Sequence, residues 1–305
     1  MKKTISFILI FCLILSLSIN CFSDYESCTV IGADLSEDQV STVYDLFGIR
    51  PGSVTELKVH NSEEREYLEG LIDENIIGSK SISCIYIRLL DEGEGLSVKT
   101  DNITWVTSEM YKNALHTAGI DDADIYVAAP FEVSGTAALT GIYKAYEYMT
   151  GETISLSAKT AATQELTITA ELADKIGAVD SIELVNALKA VLDETRNMSD
   201  EEVLAQIDAI SAQYNIVLTD NQKTKLLNMC RSMESADDSQ LLSRVDELKE
   251  TLQKVSSTKE KLSETVDKVS GFFEKFSDTV SKFTTFVGNI FNKNSKAPET
   301  EADAE

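Results

Sequence analysis

The stretch CTVIGADLSEDQVSTVYDLFG, residues 28–48, decides the fold class because the period of its hydrophobicity changes partway along. Cys28-Thr29-Val30-Ile31 reads as a short apolar strand. Asp34-Leu35-Ser36 then opens a helix, with Ser36 and Gln39 as a capping box, Val40, Val43, Tyr44 and Phe47 on the apolar face, and Gly48 as the stop. A chain that passes from strand to helix in so few residues is building a layer of helices on a sheet.

The same alternation continues outward. Pro51-Gly52 turns the chain, Val54 to His60 reads as a strand, and Asn61 with Glu64 caps a helix that reaches Ile72. Ser81 to Leu90 and Leu96 to Thr100 read as strands joined across Asp91–Gly95, which suggests a hairpin. A helix from Ser108 to Thr117 stops at Gly119; the strand Asp124 to Ala129 and Pro130 follow, and a helix from Ser134 to Met149 ends at Gly151. Beyond Leu156 the strand signals fade. Helices are expected over Leu156–Ile176, Ile182–Thr195, Asp200–Tyr214 and Asp220–Met233, with Ser199 capping the third and Thr219 with Gln222 forming a box for the fourth.

The expected class is therefore α+β: a mixed α/β domain over residues 24–151 with helices on a small sheet, then a helical region over 152–235. A long amphipathic helix over 241–293 and an acidic, disordered tail over 294–305 complete the order. Its heptad seam consists of Val245, Leu248, Leu252, Val255, Leu262, Val266, Val269, Phe273, Phe276, Val280, Phe283, Val287 and Ile290, with Lys259 as the one polar interruption. Such a stripe has to be covered by something. Small hydroxyl residues flank the seam where a partner-selective coiled coil carries charge, and Phe272 and Phe286 widen the apolar face after Gly271. Val245 to Val269 accordingly reads as helix-to-helix packing, either within the chain or between chains by self-association or docking on an envelope protein, and Phe272 to Phe291 as the part suited to a membrane surface or a broad apolar partner.

At the other end Lys2 and Lys3 precede an apolar run from Ile5 to Ile19, which gives way to Asn20, Ser23 and Asp24. That is an export signal over residues 1–23, short of the roughly 20 residues needed to span a bilayer, with cleavage expected after Ser23. Lipidation at Cys21 and an uncleaved anchor are the alternatives; Asn20 makes a poor lipobox. The net charge of −24 argues against nucleic acid as a partner, since phosphate binding relies on Lys and Arg.

Chemistry is thinly signalled. Ala128 to Ala138 carries a strand into a helix through Ser134, Gly135 and Thr136, where backbone amides could bind an anion or ligand. Neither nucleotide-binding glycine motif is met, and the simpler reading is a Ser134 cap with Gly135, Ala137 and Ala138 packing the helix on the sheet. Trp105, the sole tryptophan, either lines a cleft or fills a core and finds one partner for its indole nitrogen. His60 and His116 share no metal-ligand spacing, and Ser256 with Lys259 matches the SxxK pattern by chance. Acidic pairs such as Glu63-Glu64 read as caps and solvated faces. Cys28 and Cys84 sit in strand-like runs, as small buried hydrophobes or, outside the cell, as a disulfide. No catalytic residue, metal or cofactor is expected.

Gly32-Ala33-Asp34-Leu35, Ile77-Gly78-Ser79-Lys80-Ser81-Ile82-Ser83, Asn102 to Thr107 and Ala128 to Ile142 together resemble the YpuA-like family of exported proteins from Gram-positive bacteria, a domain of unknown function. The resemblance spans Val30 to Lys189 and leaves the heptad segment outside. It implies an exported, secreted or envelope-associated protein and brings no catalytic or binding residues. Two functions stay open: a non-enzymatic envelope binding or scaffold protein that associates through its C-terminal helix, and an extracellular enzyme acting on cell-wall or glycan material in a cleft near Trp105 and Ser134.

Overall fold

The computed structural model describes residues 27–235. The export signal, the heptad seam and the acidic tail lie outside the described residues. Five strands, β1 (Ser27–Gly32), β2 (Thr55–Val59), β3 (Cys84–Leu89), β4 (Leu96–Ile103) and β5 (Ala123–Val133), form one mixed sheet in the order β2-β1-β3-β5-β4. β1 with β2 and β4 with β5 are parallel; β1 with β3 and β3 with β5 are antiparallel. The described helices are α1 (Glu37–Phe47), α2 (Asn61–Leu68), α3 (Glu74–Ile77), α4 (Ser108–Ala118), α5 (Thr136–Thr150), α6 (Leu156–Ile176), α7 (Ala178–Lys189), α8 (Leu192–Thr195), α9 (Asp200–Gln213) and α10 (Asp220–Ser235). The class is α+β, as the alternating periods suggested.

Each sheet face has its own core. Val43, Tyr44 and Phe47 of α1 cover Ile31, Cys84 and Ala128 on one face. On the other, Ile85, Ile87 and Val127 pack against Leu115 of α4, Ile142 of α5 and Leu166 of α6. This second core runs across Gly151 without a break, because Ile154, Ala158, Ala162, Leu166 and Ala170 all belong to it. Local signals set many boundaries. The Ser36–Gln39 and Thr219–Gln222 boxes form as read, and the Ser199 cap is completed to a box by Glu202.

Five local expectations are corrected, among them the helix expected to reach Ile72, which ends at Leu68 ahead of the separate α3, and one open alternative for the cysteines is closed. β3 and β4 are not a hairpin, because β5 lies between them. β5 has the apolar run suited to a strand covered on both faces, with Ala123, Ile125, Val127, Ala128 and Ala129 buried, whereas β4 exposes Ser97 and Lys99 and suits an edge. The Asp91–Gly95 connection arcs over the start of β5, about 10 Å of strand spacing. It is pinned there by Asp122, whose Oδ1 accepts the Gly93 and Gly95 N–H at 3.0 and 2.7 Å. β5 also runs through Pro130, beyond its last pairing with β3 at Ala128, so the missing N–H interrupts no bond to that neighbour. One helix expected over 182–195 is instead α7 and α8, separated at Ala190-Val191.

The capping box of α2 sits one residue early. His60 is the N-cap and donates its N–H to Glu63 Oε2 at 2.9 Å, which leaves Glu64 to turn inward. Finally, Cys28 and Cys84 are not bonded. Cys28 pairs with Ile87 on the neighbouring strand and faces the α5 side, while Cys84 lies in the core under α1, on the opposite face. Burial pushes the Cys28 and Cys84 thiols up to about 11 and about 12. Both act as small buried hydrophobes with little thiolate character.

Candidate functional site

The strand directions bring the carboxyl ends of β1, β2, β4 and β5 and the amino end of β3 to one edge of the sheet. Ligands of open α/β sheets favour such an edge. The stretches that carry the family resemblance all meet there. A Cβ on Gly32 would lie 2.3 Å from Ser81 O, so only glycine lets the 77–83 segment cross β1. Asp34 Oδ2 accepts the Ser81 N–H at 2.8 Å, and Ser81 O accepts the Asp34 N–H at 3.3 Å. Thr104 N–H donates to Val133 O at 2.9 Å, Val106 N–H to Ser134 O at 3.2 Å, and Asn102 Nδ2 to Ala129 O at 2.8 Å.

Ser134, Gly135 and Thr136 form the junction of β5 with α5. Gly135 is the N-cap at φ 97°, and a side chain on it would strike Ile103 and the Tyr111 hydroxyl. The expected Ser134 cap is absent; its hydroxyl instead donates to Ile76 O at 3.1 Å and fastens α3 to the junction. Tyr111 donates its hydroxyl to Gly135 O, and burial pushes that phenol up. Thr136, the first residue of α5, donates to Glu64 Oε1 at 2.6 Å. The group at this helix start is thus the chain's own carboxyl.

Glu64 is 1% exposed. Its other partner is the Asn61 carboxamide, 3.4 Å from Oε2. The adjacent Arg65 pairs with Glu74 at 2.8 Å and donates to Gly78 O at 2.9 Å and, through Nε, to Asn61 Oδ1 at 3.0 Å, so it acts on Glu64 through Asn61 and by its more distant charge. Among the described residues no ammonium or guanidinium lies within ion-pair distance of Glu64. Burial pushes its carboxyl up to about 7, against the lowering effect of the Thr136 and Asn61 bonds.

Trp105 closes the other side of the junction. Its half-buried ring packs against both the main core and the Leu68, Ile72 and Ile77 cluster, and its Nε1 donates to Asp174 Oδ2 of α6 at 3.1 Å. Lys225 of α10 reaches the same segment, donating to Leu71 O at 2.9 Å and pairing with Glu171 at 2.6 Å. The fold therefore joins Trp105 and Ser134 through the 61–78 segment. Neither histidine hydrogen-bonds to Ser134: His60 starts α2, and His116 pairs with Asp121 at 2.8 Å.

A second buried polar centre lies between α4, α6 and α7. Lys189 Nζ donates to Glu165 Oε1 at 2.8 Å and to Thr117 Oγ1 at 2.9 Å, and Thr117 donates to Glu165 Oε2. Sequence reasoning missed Glu64, Tyr111 and this triad. A signal for the acids was present: Glu64 precedes the buried Leu68 by one helical turn, and Glu165 continues the buried stripe of Ala158, Ala161 and Ala162. A carboxyl on an apolar stripe has to find an internal partner or hold its proton.

Comparison with known proteins places this geometry in a family. A family model described as "Protein of unknown function (DUF1002)" matches residues 31–255, which continues past Lys189 through the helical region and into the first heptads. "Uncharacterized protein YpuA" of Bacillus subtilis (strain 168) is 42% identical over 235 residues, covering 75% of this chain and 80% of that protein. No solved structure matches. With most of its length matched, from β1 to beyond α10, the chain belongs to the DUF1002 family of proteins of unknown function.

Proposed function

We propose that the chain is an exported, non-enzymatic protein of the cell envelope whose α+β domain serves as a binding or scaffold module and whose C-terminal heptad segment makes the association. One observation carries the domain's part: the side chains that could have formed a reactive centre are engaged inside the fold. Ser134 holds Ile76, Thr136 holds Glu64, Tyr111 holds Gly135 and the Trp105 indole holds Asp174. The glycan-cleft alternative requires Trp105 and Ser134 to turn from these partners toward a substrate. Export is supported by Lys2, Lys3 and the apolar run to Ile19, and association by the apolar seam that must be covered.

The test compares the protein from residue 24 to 305 with a version ending at Ser239, by light scattering and by co-sedimentation with vesicles of anionic and zwitterionic lipid. Loss of mass per particle on truncation supports self-association, and loss of vesicle binding supports membrane contact. If neither quantity changes, the association part of the proposal fails.

A further inference from the structure

The 61–78 segment is held along its length and carries a weak point in its first turn. Its anchors are the Lys144–Glu63 pair at 2.6 Å, the Ser134–Ile76 bond, the Lys225–Leu71 bond and the apolar contact with Trp105. In that turn stands Glu64, buried against the first turn of α5 with a hydroxyl as its one short partner. A neutral carboxyl fits that place. A carboxylate there has lost its hydration and has gained no ion pair; the more distant Arg65 charge and the partial positive charge of the α5 start offset only a fraction of that loss.

We propose that Glu64 is a proton-operated latch: neutral, it holds α2 and the 69–78 segment on the start of α5, and on ionisation it lets them part so that water can reach the carboxylate.

The groups facing Glu64 leave that role to it. On its own helix, Glu63 is paired with Lys144 of α5, and Arg65 with Glu74 of α3. From α4 comes Tyr111, whose buried phenol stays protonated and which binds Gly135. From α6 comes Lys159, which pairs with Glu147 at 2.8 Å and lies over the Tyr67 ring. None of these cations can neutralise Glu64 without abandoning its own partner. Burial holding the carboxyl up to about 7 puts the release near neutral pH. The latch reports outward by two routes: through Ile77 to the ring of Trp105, and through Leu71 to Lys225 of α10.

The sole tryptophan makes the test direct. In the full mature chain, Trp105 emission is expected to shift between pH 5.5 and 8.5 with a midpoint near neutrality. Over the same range, amide exchange at Leu68 and Ile77, corrected for its intrinsic pH dependence, should accelerate by roughly tenfold or more. Glu64→Gln, which keeps the shape of the neutral acid, should abolish both transitions. His60→Asn with His116→Asn should retain them, which separates the latch from any contribution of the two imidazoles. Persistence of the transitions in Glu64→Gln, or their loss in the histidine variant, overturns the proposal. Should Glu64→Gln not fold, carbon-13 titration of the Glu64 carboxyl in the unsubstituted chain decides: a midpoint near neutrality supports the latch, and one in the ordinary carboxylate range sinks it.

Discussion

Glu64 and Glu165 are equally buried, each 1% exposed, and each accepts a bond from a threonine hydroxyl. They differ in what else they face. Glu165 has the Lys189 ammonium at 2.8 Å, itself bonded to the same threonine, so charge and donors are matched in a closed triad. Glu64 has a long contact to Asn61, while its nearest guanidinium serves Glu74 and Gly78. One carboxyl is stabilised as an ion inside the helical layer, whereas the other is stabilised as an acid at the edge of the sheet. The difference shows that burial alone does not decide the state of a carboxyl; the presence or absence of a matched cation does.

The largest expected effect comes from making the two sites alike. Lys189→Ala leaves Glu165 with Thr117 and no cation, which should destabilise the fold by about 3–5 kcal/mol near pH 8. Urea unfolding of Lys189→Ala beside the unsubstituted protein checks this, and Lys189→Met, which keeps the length of the side chain, should lose a similar amount. If either variant loses less than about 1 kcal/mol, the ammonium does not hold the Glu165 carboxylate and the comparison breaks.

The pH dependence of the unsubstituted protein is next in size. The folded-state Glu64 carboxyl lies at about 7, above the ordinary 4.5 of an unfolded chain. Between those values the folded state keeps a proton that the unfolded state has released. The contribution of Glu64 is therefore complete below pH 4.5 and is lost as pH rises toward 7. Over that window the unfolding free energy, taken as the difference from Glu64→Gln, should fall by on the order of 3 kcal/mol. A flat difference would place Glu64 in the same class as Glu165.

The smallest expected effect is none. Cys28 and Cys84 face opposite sides of the sheet, so the intact mass of the mature protein should not change on reduction. All thiols should label only after unfolding, since Cys28, Cys84 and Cys230 are buried. A two-dalton difference on reduction would mean that the sheet can rearrange enough to bring the two faces together.

Much of the fold was legible because it rests on local physics. The Ser36–Gln39, Ser199–Glu202 and Thr219–Gln222 boxes each satisfy orphan N–H groups with residues three apart, a relation that a sequence displays. The boundaries of α6 at Leu156 and Ile176 were readable for the same reason, with Ser155 and Gly177 on either side. Where reading failed, two local solutions were nearly equivalent. Asn61 with Glu64 and His60 with Glu63 are both acceptable boxes one register apart; the cores on which α2 must pack selected the second. Likewise Asp91–Gly95 is a sound hairpin loop in isolation, and the sheet rejected it because β5 is better suited to the centre than β4.

By itself, then, the sequence determined the helix starts that carry a Ser or Thr cap, the alternation that yields an α+β layer, the candidate export signal and the heptad stripe, since each depends on neighbours within a few residues. Only tertiary structure decided the strand order, the separation of Cys28 from Cys84, and the conversion of Glu64 from a surface cap into a buried acid. These depend on what lies across the sheet or under a helix, and burial energy acts through space without regard to distance along the chain. The sequence shows how many carboxyls the chain has; the fold decides which of them meet an ammonium.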